Sequence, residues 1–392
     1  MHAHARLHPL HSDPDFMLLH EALGDVAAEP RGDDMALRLI SREPLGEGSV
    51  SGFAPMTDSP EQTWYVDTSR LPVRTETGLA TGDDLTRPDA RIWTHPADPH
   101  LPALAATAFG HAAKALLSRL GLVATGELTM VGYRPGRRAV LRAATDGGDV
   151  WLKVVRPRRL DSIVGAHLAC AEAGLPVPIL RGWAPDGLLV LDSAVGTPAA
   201  ETRWSPRSLL DSVDALRAQI SGVVWDRPAP SIADRLGWYA GHAGDAVEVQ
   251  RLVAGIRTLL ANATVREDTV VHGDMHFGQL FLAGDGAGIS GMIDVDTLGR
   301  GDAAEDSAAF IAHAVASARL TGVEHRARIR GLADAALERW DDPRVRGFTG
   351  IHLLGQANSA RVHGDTTGAQ TLYATAQRIV DGGSAGDQTE ET

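Results

Sequence analysis

The chain changes character near Ser193, and that change constrains its fold more than any other feature. Before it, apolar residues fall in short runs cut by Gly, Pro and Asp; after it, they recur at helical spacing over long stretches. Strands are expected at 127–133, 139–143 and 150–155, joined by Arg134-Pro135-Gly136-Arg137 and Asp146-Gly147-Gly148-Asp149, which have the composition of hairpin turns. A helix over 160–173 should stop at Gly174, with Pro176 just beyond, and strands follow at 179–184 and 187–192. Past Ser193, helices are expected at 206–221, 231–243, 246–261, 303–320, 324–339 and 347–382, the last broken near Gly364. Ahead of the strands, 101–122 reads as one helix, while 1–100 reads as short strands and loops with extended runs at 35–40 and 62–67. The fold class is therefore α+β, a strand-rich lobe followed by a helical one. The expected divisions are an N-terminal extension over 1–100, an N-terminal lobe over 101–192, a helical lobe over 193–383, and a polar, disordered tail over 384–392.

A length of 392 residues suits two lobes. The net charge of −13 argues against a nucleic-acid partner, which would call for a basic stripe. The single cysteine, Cys170, excludes an intrachain disulfide, sits in an apolar run as a packed thiol, and fits a reducing cytoplasm. Neither a signal peptide nor a membrane span is expected. His2, His4, His8 and His11 crowd the start, which reads as a frayed terminus rather than a metal-binding tract.

The chemistry concentrates in Val271-His272-Gly273-Asp274-Met275-His276-Phe277-Gly278-Gln279 and, further on, Met292-Ile293-Asp294-Val295-Asp296. One carboxylate stands beside a polar amide, and two more end an apolar strand. In phosphoryl transfer the protein mainly positions the nucleophile, holds Mg²⁺ and neutralises phosphate charge. Asp274 is the residue expected to accept the proton of an attacking hydroxyl. Gln279 and Asp294 offer hard oxygens suited to Mg²⁺, and Asp296 a further carboxylate. His272 is expected to fix the loop's shape by donating from its imidazole to backbone carbonyls. Met275 and Phe277 should pack inward. Lys153, inside the apolar run Trp151-Leu152-Lys153-Val154-Val155, reads as a charge clamp on phosphates or as a lysine facing solvent from an edge strand. The turn with Gly136 and Arg137 has the residues to fold over phosphates, although a basic hairpin tip is commonly just solvated.

His-Gly-Asp, four residues, then an amide at His272 to Gln279, followed by Ile-Asp-x-Asp at Ile293 to Asp296, resembles the aminoglycoside phosphotransferase and choline kinase-like superfamily. Gly301-Asp302-Ala303-Ala304-Glu305-Asp306 is similar to that family's downstream Gly-Asp-Pro-x-x-Asp-Leu stretch. The resemblance covers about Gly126 to Ala314, and its motif looks most like the maltokinase and glucosamine kinase branch. It implies a protein-kinase-like bilobal fold with an extra N-terminal subdomain, and ATP and Mg²⁺ as co-substrate and cofactor. It also implies a hinge at Leu191-Asp192-Ser193-Ala194, where the backbone of Asp192 and Ala194 would meet the adenine. Gln279 replaces the family's usual asparagine, and neither Asp161 nor Glu172 fits cleanly as a partner for Lys153. Gly273 stands where protein kinases carry an arginine, which favours a small-molecule acceptor over a protein.

The expected reaction is transfer of the γ-phosphoryl of ATP to a hydroxyl of a sugar, amino sugar or aminoglycoside. Acceptor residues are expected on the C-terminal helices, where Trp340, His352, Gln356, Asn358 and Arg361 are polar or aromatic, though packing accounts for each equally well. Two rivals remain open at this point. Asp294 to Glu305 matches several ligand positions of a calcium loop. His272, Asp274 and His276 alternate as the ligands of a metallohydrolase would.

Overall fold

A computed structural model describes residues 13–24, 37–56, 63–108, 110–244, 246–264, 268–284 and 288–385. The histidines at positions 2 to 11, the first two residues of the extended run at 35–40, Gln62, and the tail after Ala385 lie outside them. The chain forms two compact units, Met1–Leu160 with Arg181–Val190, and Asp161–Leu180 with Leu191–Thr392. Together they give a mixed fold with antiparallel sheets in the first unit and helices dominating the second.

The first unit holds two five-stranded sheets. The N-terminal one comprises β1 (Leu37–Leu45), β2 (Gly48–Pro55), β3 (Trp64–Asp67), β4 (Leu79–Thr81) and β5 (Ala90–Thr94), in the order β1-β2-β3-β5-β4. Helix α1 (Pro14–Gly24) lays Phe16 and Leu19 on Phe53, Val66 and Ile92. The short strands expected here are present, with β1 and β3 on the described part of the two extended runs, but a helix accompanies them, which the reading of strands and loops did not include. The 101–122 segment is likewise two helices, α2 (Ala103–Ala108) and α3 (Gly110–Arg119). They cover the second sheet, β6 (Thr129–Arg134), β7 (Arg138–Thr145), β8 (Gly148–Val155), β9 (Leu180–Ala184) and β10 (Leu188–Asp192), ordered β6-β7-β8-β10-β9. Leu104 and Leu117 from the helices meet Leu141, Leu152 and Val190 from the strands. The turns before β7 and β8 need glycine, with Gly136 at φ +67° and Gly148 at φ +110°. Helix α4 (Pro157–Glu172) ends, as expected, just ahead of Gly174 at φ +75°.

In the second unit, α5 (Pro206–Ser221), α6 (Leu236–His242), α7 (Val247–Asn262), α8 (Ala303–Leu320), α9 (Val323–Arg339), α10 (Pro343–Val362) and α11 (Thr366–Val380) enclose one large core. The 231–243 segment departs from the expected helix by beginning as a 3₁₀ turn over Ile232–Arg235. Helix α8 is buried at twelve positions between Ala304 and Ala318, because its alanines admit neighbours on every side. Its N-cap Asp302 accepts the Ala304 N–H at 2.9 Å, as capping carboxylates do. The break near Gly364 is real: Gly364 adopts φ +81°, and Asp365 caps α11. Two small sheets interrupt the helices, β11 (Thr197–Pro198) with β13 (Leu280–Leu282) and β14 (Ile289–Met292), and β12 (Thr269–Val271) with β15 (Gly299–Gly301).

Candidate active site

The loop bearing Asp274 leaves β12, whose pairing with β15 sets Val271 opposite Gly299. Gly273 has φ +83°, and a Cβ there would meet the Thr297 carbonyl oxygen at 2.6 Å. Glycine is therefore demanded twice, by conformation and by a neighbouring backbone atom. The main chain is pinned from below by Asp306 in the first turn of α8. Its Oδ2 accepts the His272 N–H at 2.9 Å and its Oδ1 the Gly273 N–H at 2.7 Å. The Thr297 hydroxyl donates to the His272 carbonyl at 2.8 Å. Hydrogen bonds to an ionised carboxylate are about twice as strong as neutral ones, so this buried residue fixes the loop. The His272 ring does not do what its residue type suggested. It is fully buried, neither ring nitrogen has a hydrogen-bond partner, and the loop's shape comes from main-chain bonds instead.

Met275 and Phe277 pack into the core, as expected. The Gln279 side-chain oxygen accepts the His276 N–H at 3.0 Å, closing a tight turn, and keeps a second lone pair. Antiparallel pairing sets Leu280 opposite Met292, and the Ile293 N–H donates to the Gln279 carbonyl at 3.1 Å. Gln279 and Asp294 thus stand at the same end of one hairpin. Asp294 is held at φ +67°, left-handed backbone that costs an ordinary residue about 1–2 kcal/mol. Such strain is typically kept where a side chain must be aimed.

Three imidazoles surround Asp274. His313 of α8 places Nε2 3.7 Å from Oδ1 of Asp274. Its ring stacks on His276 at 4.1 Å between centroids, tilted by 14°, and stands 6.4 Å from His352 of α10. Burial pushes the Asp274 carboxyl up, but His313, with His352 and His276, outweighs it and holds the group below its ordinary value. Burial, with the His313 charge, pushes His276 down to about 3. Burial takes His352 down to about 4.

In the first unit, Lys153 lies opposite Val140 between β7 and β8 and is only 8% exposed, which removes the solvent-facing alternative. The turn after β6 is fastened to the N-terminal sheet. Asp98 accepts the Gly136 N–H at 2.7 Å and the Tyr133 hydroxyl at 2.9 Å, and Arg134 pairs with Glu43 at 2.6 Å. The Arg137 guanidinium donates to the Pro44 carbonyl. The last of the three places where the chain passes between the units falls between Val190 and Leu191. There the Asp192 N–H donates to the Ile179 carbonyl at 2.9 Å, and Ala194 is half-buried.

The calcium-loop reading fails on geometry. A strand leads into Asp294, and the loop is a 3₁₀ turn over Val295–Thr297 followed by β15. Glu305 is turned away to accept from the Ser231 hydroxyl at 2.6 Å and the Ile232 N–H at 3.0 Å. The metallohydrolase reading fares no better: among the described residues no three His, Cys, Asp or Glu side chains are grouped to hold a metal ion.

The sequence profile of the phosphotransferase enzyme family (APH) matches residues 136–348, which include Lys153 and the whole Asp274 loop. The chain belongs to this family. Among solved structures it is similar to a thermostable mutant of aminoglycoside phosphotransferase APH(4)-Ia in its apo form. The identity is 17% and the TM-score 0.50, over 68% of this chain and 97% of that one. It is also similar to a macrolide 2′-phosphotransferase type I, at 19% identity and TM-score 0.44 over 68% and 96%. Amicoumacin kinase hAmiN gives 14% and 0.48 over 69% and 94%. At these identities the first likeness is one of fold. No curated protein matches the sequence.

In this phosphotransferase three of the side chains anticipated for the acceptor are committed to packing. Trp340 donates its indole N–H to Asp214 at 2.9 Å and sits edge-on to Phe310. Asn358 donates to the Tyr239 carbonyl and accepts from the Tyr373 hydroxyl, at 2.9 and 2.8 Å. Arg361 donates to the His242 carbonyl. Gln356 differs, since its side-chain oxygen is buried without a partner, one turn from His352. Sequence reasoning missed His313, a lone polar residue in the Ala-rich run Phe310-Ile311-Ala312-His313-Ala314, and the bracing role of Asp306. No helix among the described residues is long and apolar enough to cross a membrane.

Proposed function

We propose that the protein transfers the γ-phosphoryl of ATP, with Mg²⁺, to a hydroxyl of a small polar acceptor such as a sugar, amino sugar or aminoglycoside. The observation that carries this reading is the braced loop that presents Asp274 next to the hairpin aligning Gln279 with Asp294. Asp274 orients the acceptor hydroxyl and takes its proton; its depressed pKa keeps it ionised at neutral pH, so it can accept. Lys153 meets the α/β-phosphates, and the turn at Gly136 and Arg137 lies over them. The Gly136 N–H is already given to Asp98 and the Arg137 guanidinium to the Pro44 carbonyl, so that turn would act through its shape. The backbone at Asp192 and Ala194 meets the adenine.

The donors present suit Mg²⁺: the Asp294 carboxylate, held in its strained backbone, and the remaining lone pair of Gln279, with Asp296 beside them. When bound, the ion would neutralise phosphate charge. Among the acceptor candidates, Gln356 keeps a buried oxygen to offer, whereas Trp340, Asn358 and Arg361 would act by shaping the helices behind the site. The expected setting is the cytoplasm, without nucleic-acid or membrane partners.

The test is ADP release from Mg·ATP across a panel of sugars, amino sugars, aminoglycosides and amino alcohols, with wild type and Asp274→Asn. One acceptor class should raise turnover well above that with water. The variant should lose about 10²–10⁴-fold in kcat, the usual worth of a general base, with ATP affinity nearly unchanged. Near-wild-type turnover by Asp274→Asn would falsify the assignment.

A further inference from the structure

His313 has no role in the scheme above, yet its imidazole comes from another element to within 3.7 Å of the Asp274 carboxylate. We propose that His313 is a positioning residue, whose imidazole holds Oδ1 of Asp274 so that the other oxygen faces the acceptor hydroxyl. The proposal rests on Asp274 being the catalytic base. The 3.7 Å separation is too long for a formed hydrogen bond but within ion-pair range, and such catalytic contacts commonly tighten when substrate binds.

Two features make His313 more than a neighbour. Its ring cannot swing freely, being stacked on His276 at 4.1 Å and bordered by His352 at 6.4 Å. It also projects from the most deeply buried helix of the unit. Seven residues earlier on that helix, Asp306 grips the two backbone N–H groups just before Asp274. Seven residues are two helical turns, so Asp306 and His313 share one face. One rigid rod therefore fixes the main chain ahead of the base with one residue and the base's carboxylate with the other. Preorganisation of this kind, on a packed helix, is what precise placement of a reacting group needs. The titratable groups facing Asp274 are His313 from α8, His352 from α10 and His276 from its own loop, with Asp294 facing His276 in turn.

The experiment measures ADP release from Mg·ATP with water alone, and separately with glucosamine, maltose and kanamycin, for wild type, His313→Ala, His313→Leu and His313→Gln. The Ala and Leu variants should lose roughly 10–100-fold in kcat, as loss of a supporting residue commonly does, while KM for ATP stays within about twofold. The acid limb of their kcat–pH profile should move to higher pH, because the carboxylate has lost its stabilising neighbour. His313→Gln keeps an N–H at the reach of Nε2 and should recover kcat to within about fivefold of wild type. Leu fills the same space without a donor, so it serves should the Ala variant not fold. A Gln variant as slow as Leu, or a Leu variant with wild-type kcat and an unmoved acid limb, overturns the positioning role. Turnover surviving Asp274→Asn would instead overturn the base assignment, and that result reads independently of any His313 variant.

Discussion

Two turns in this protein are built alike and used differently. At the tip of the β6–β7 hairpin, Gly136 at φ +67° gives its N–H to the buried Asp98. In the Asp274 loop, Gly273 at φ +83° gives its N–H to the buried Asp306. Each glycine permits a backbone that other residues resist, and each aspartate comes from a distant stretch of chain, 38 residues away in one case and 33 in the other. The difference lies in what is left over. Asp98 uses up the N–H of the very residue that would approach a phosphate. Asp306 takes only main-chain groups beside Asp274 and leaves that carboxylate half-exposed among histidines. A buried anchor can thus either consume a turn's functional group or present it.

The largest expected effect comes from removing the anchor that presents. Asp306→Ala leaves a buried and a partly buried N–H group without acceptors, a loss of about 3–6 kcal/mol at roughly 1.5–3 for each bond to a charged group. Displacing Asp274 by even an ångström should also cut kcat about a hundredfold. Amide exchange over 270–280 should quicken, read by mass spectrometry. Asp98→Ala should quicken exchange over 130–138 while holding kcat within about tenfold of wild type. Equal kcat losses in the two variants would erase the distinction between the turns.

A finer contrast separates the glycines. At Gly273 an added Cβ meets a backbone carbonyl oxygen at 2.6 Å, which has nowhere to go. At Gly136 it meets Leu45 Cδ2 at 2.8 Å and Val50 Cγ2 at 3.1 Å, side-chain ends that can shift. Both variants carry the left-handed penalty of about 1–2 kcal/mol. Gly273→Ala adds a backbone displacement and should exceed 3 kcal/mol in total, whereas Gly136→Ala should stay near 2, compared by urea unfolding. The same geometry explains why glycine stands where protein kinases carry an arginine: the Thr297 carbonyl occupies the space a side chain would need.

These two anchors also mark where sequence reading succeeded and stopped. The strands of the second sheet and helices α5, α8 and α9 were legible within a residue or two, because hydrophobic period and Gly or Pro punctuation are local signals. The alignment of Gln279 with Asp294 is likewise local, since the two flank the ends of paired strands in one hairpin. In the N-terminal part, β1 and β3 were legible as extended runs, but their assembly into one sheet and helix α1 were not. β1 is half-buried at nearly every position, so no alternation marks which face packs, and α1 contributes only Phe16 and Leu19 as buried apolar anchors. Asp98, Asp306 and His313 were missed for a related reason. Each acts across more than thirty residues, and nothing within a local window tells a bracing aspartate from a helix cap, or a histidine beside a carboxylate from one in an alanine-rich core.

The smallest effect is the most discriminating, because it has opposite signs at the two turns. Burial raises the Asp98 carboxyl above its ordinary value, despite the N–H of Gly136 and its other partners pulling it down. A group raised on folding contributes stability that is present below its unfolded pKa and lost as pH climbs through the folded value. The β6–β7 tip should therefore loosen as pH rises from about 4, the ordinary value of an aspartate. Around Asp274 the shifts run the other way. His276 falls to about 3 and His352 to about 4, both from 6.5, chiefly through burial. The unfolded chain binds more protons there, so stability is full above 6.5 and drains away as pH falls toward 3. Amide exchange at several pH values, corrected for its intrinsic pH dependence, should show protection over 130–138 declining upward and protection over 270–280 declining downward. His352→Gln should weaken the second trend without abolishing it, since an amide does not titrate but His276 remains. Parallel trends in the two segments would mean that the buried charges, rather than the turns they anchor, are shared across the molecule.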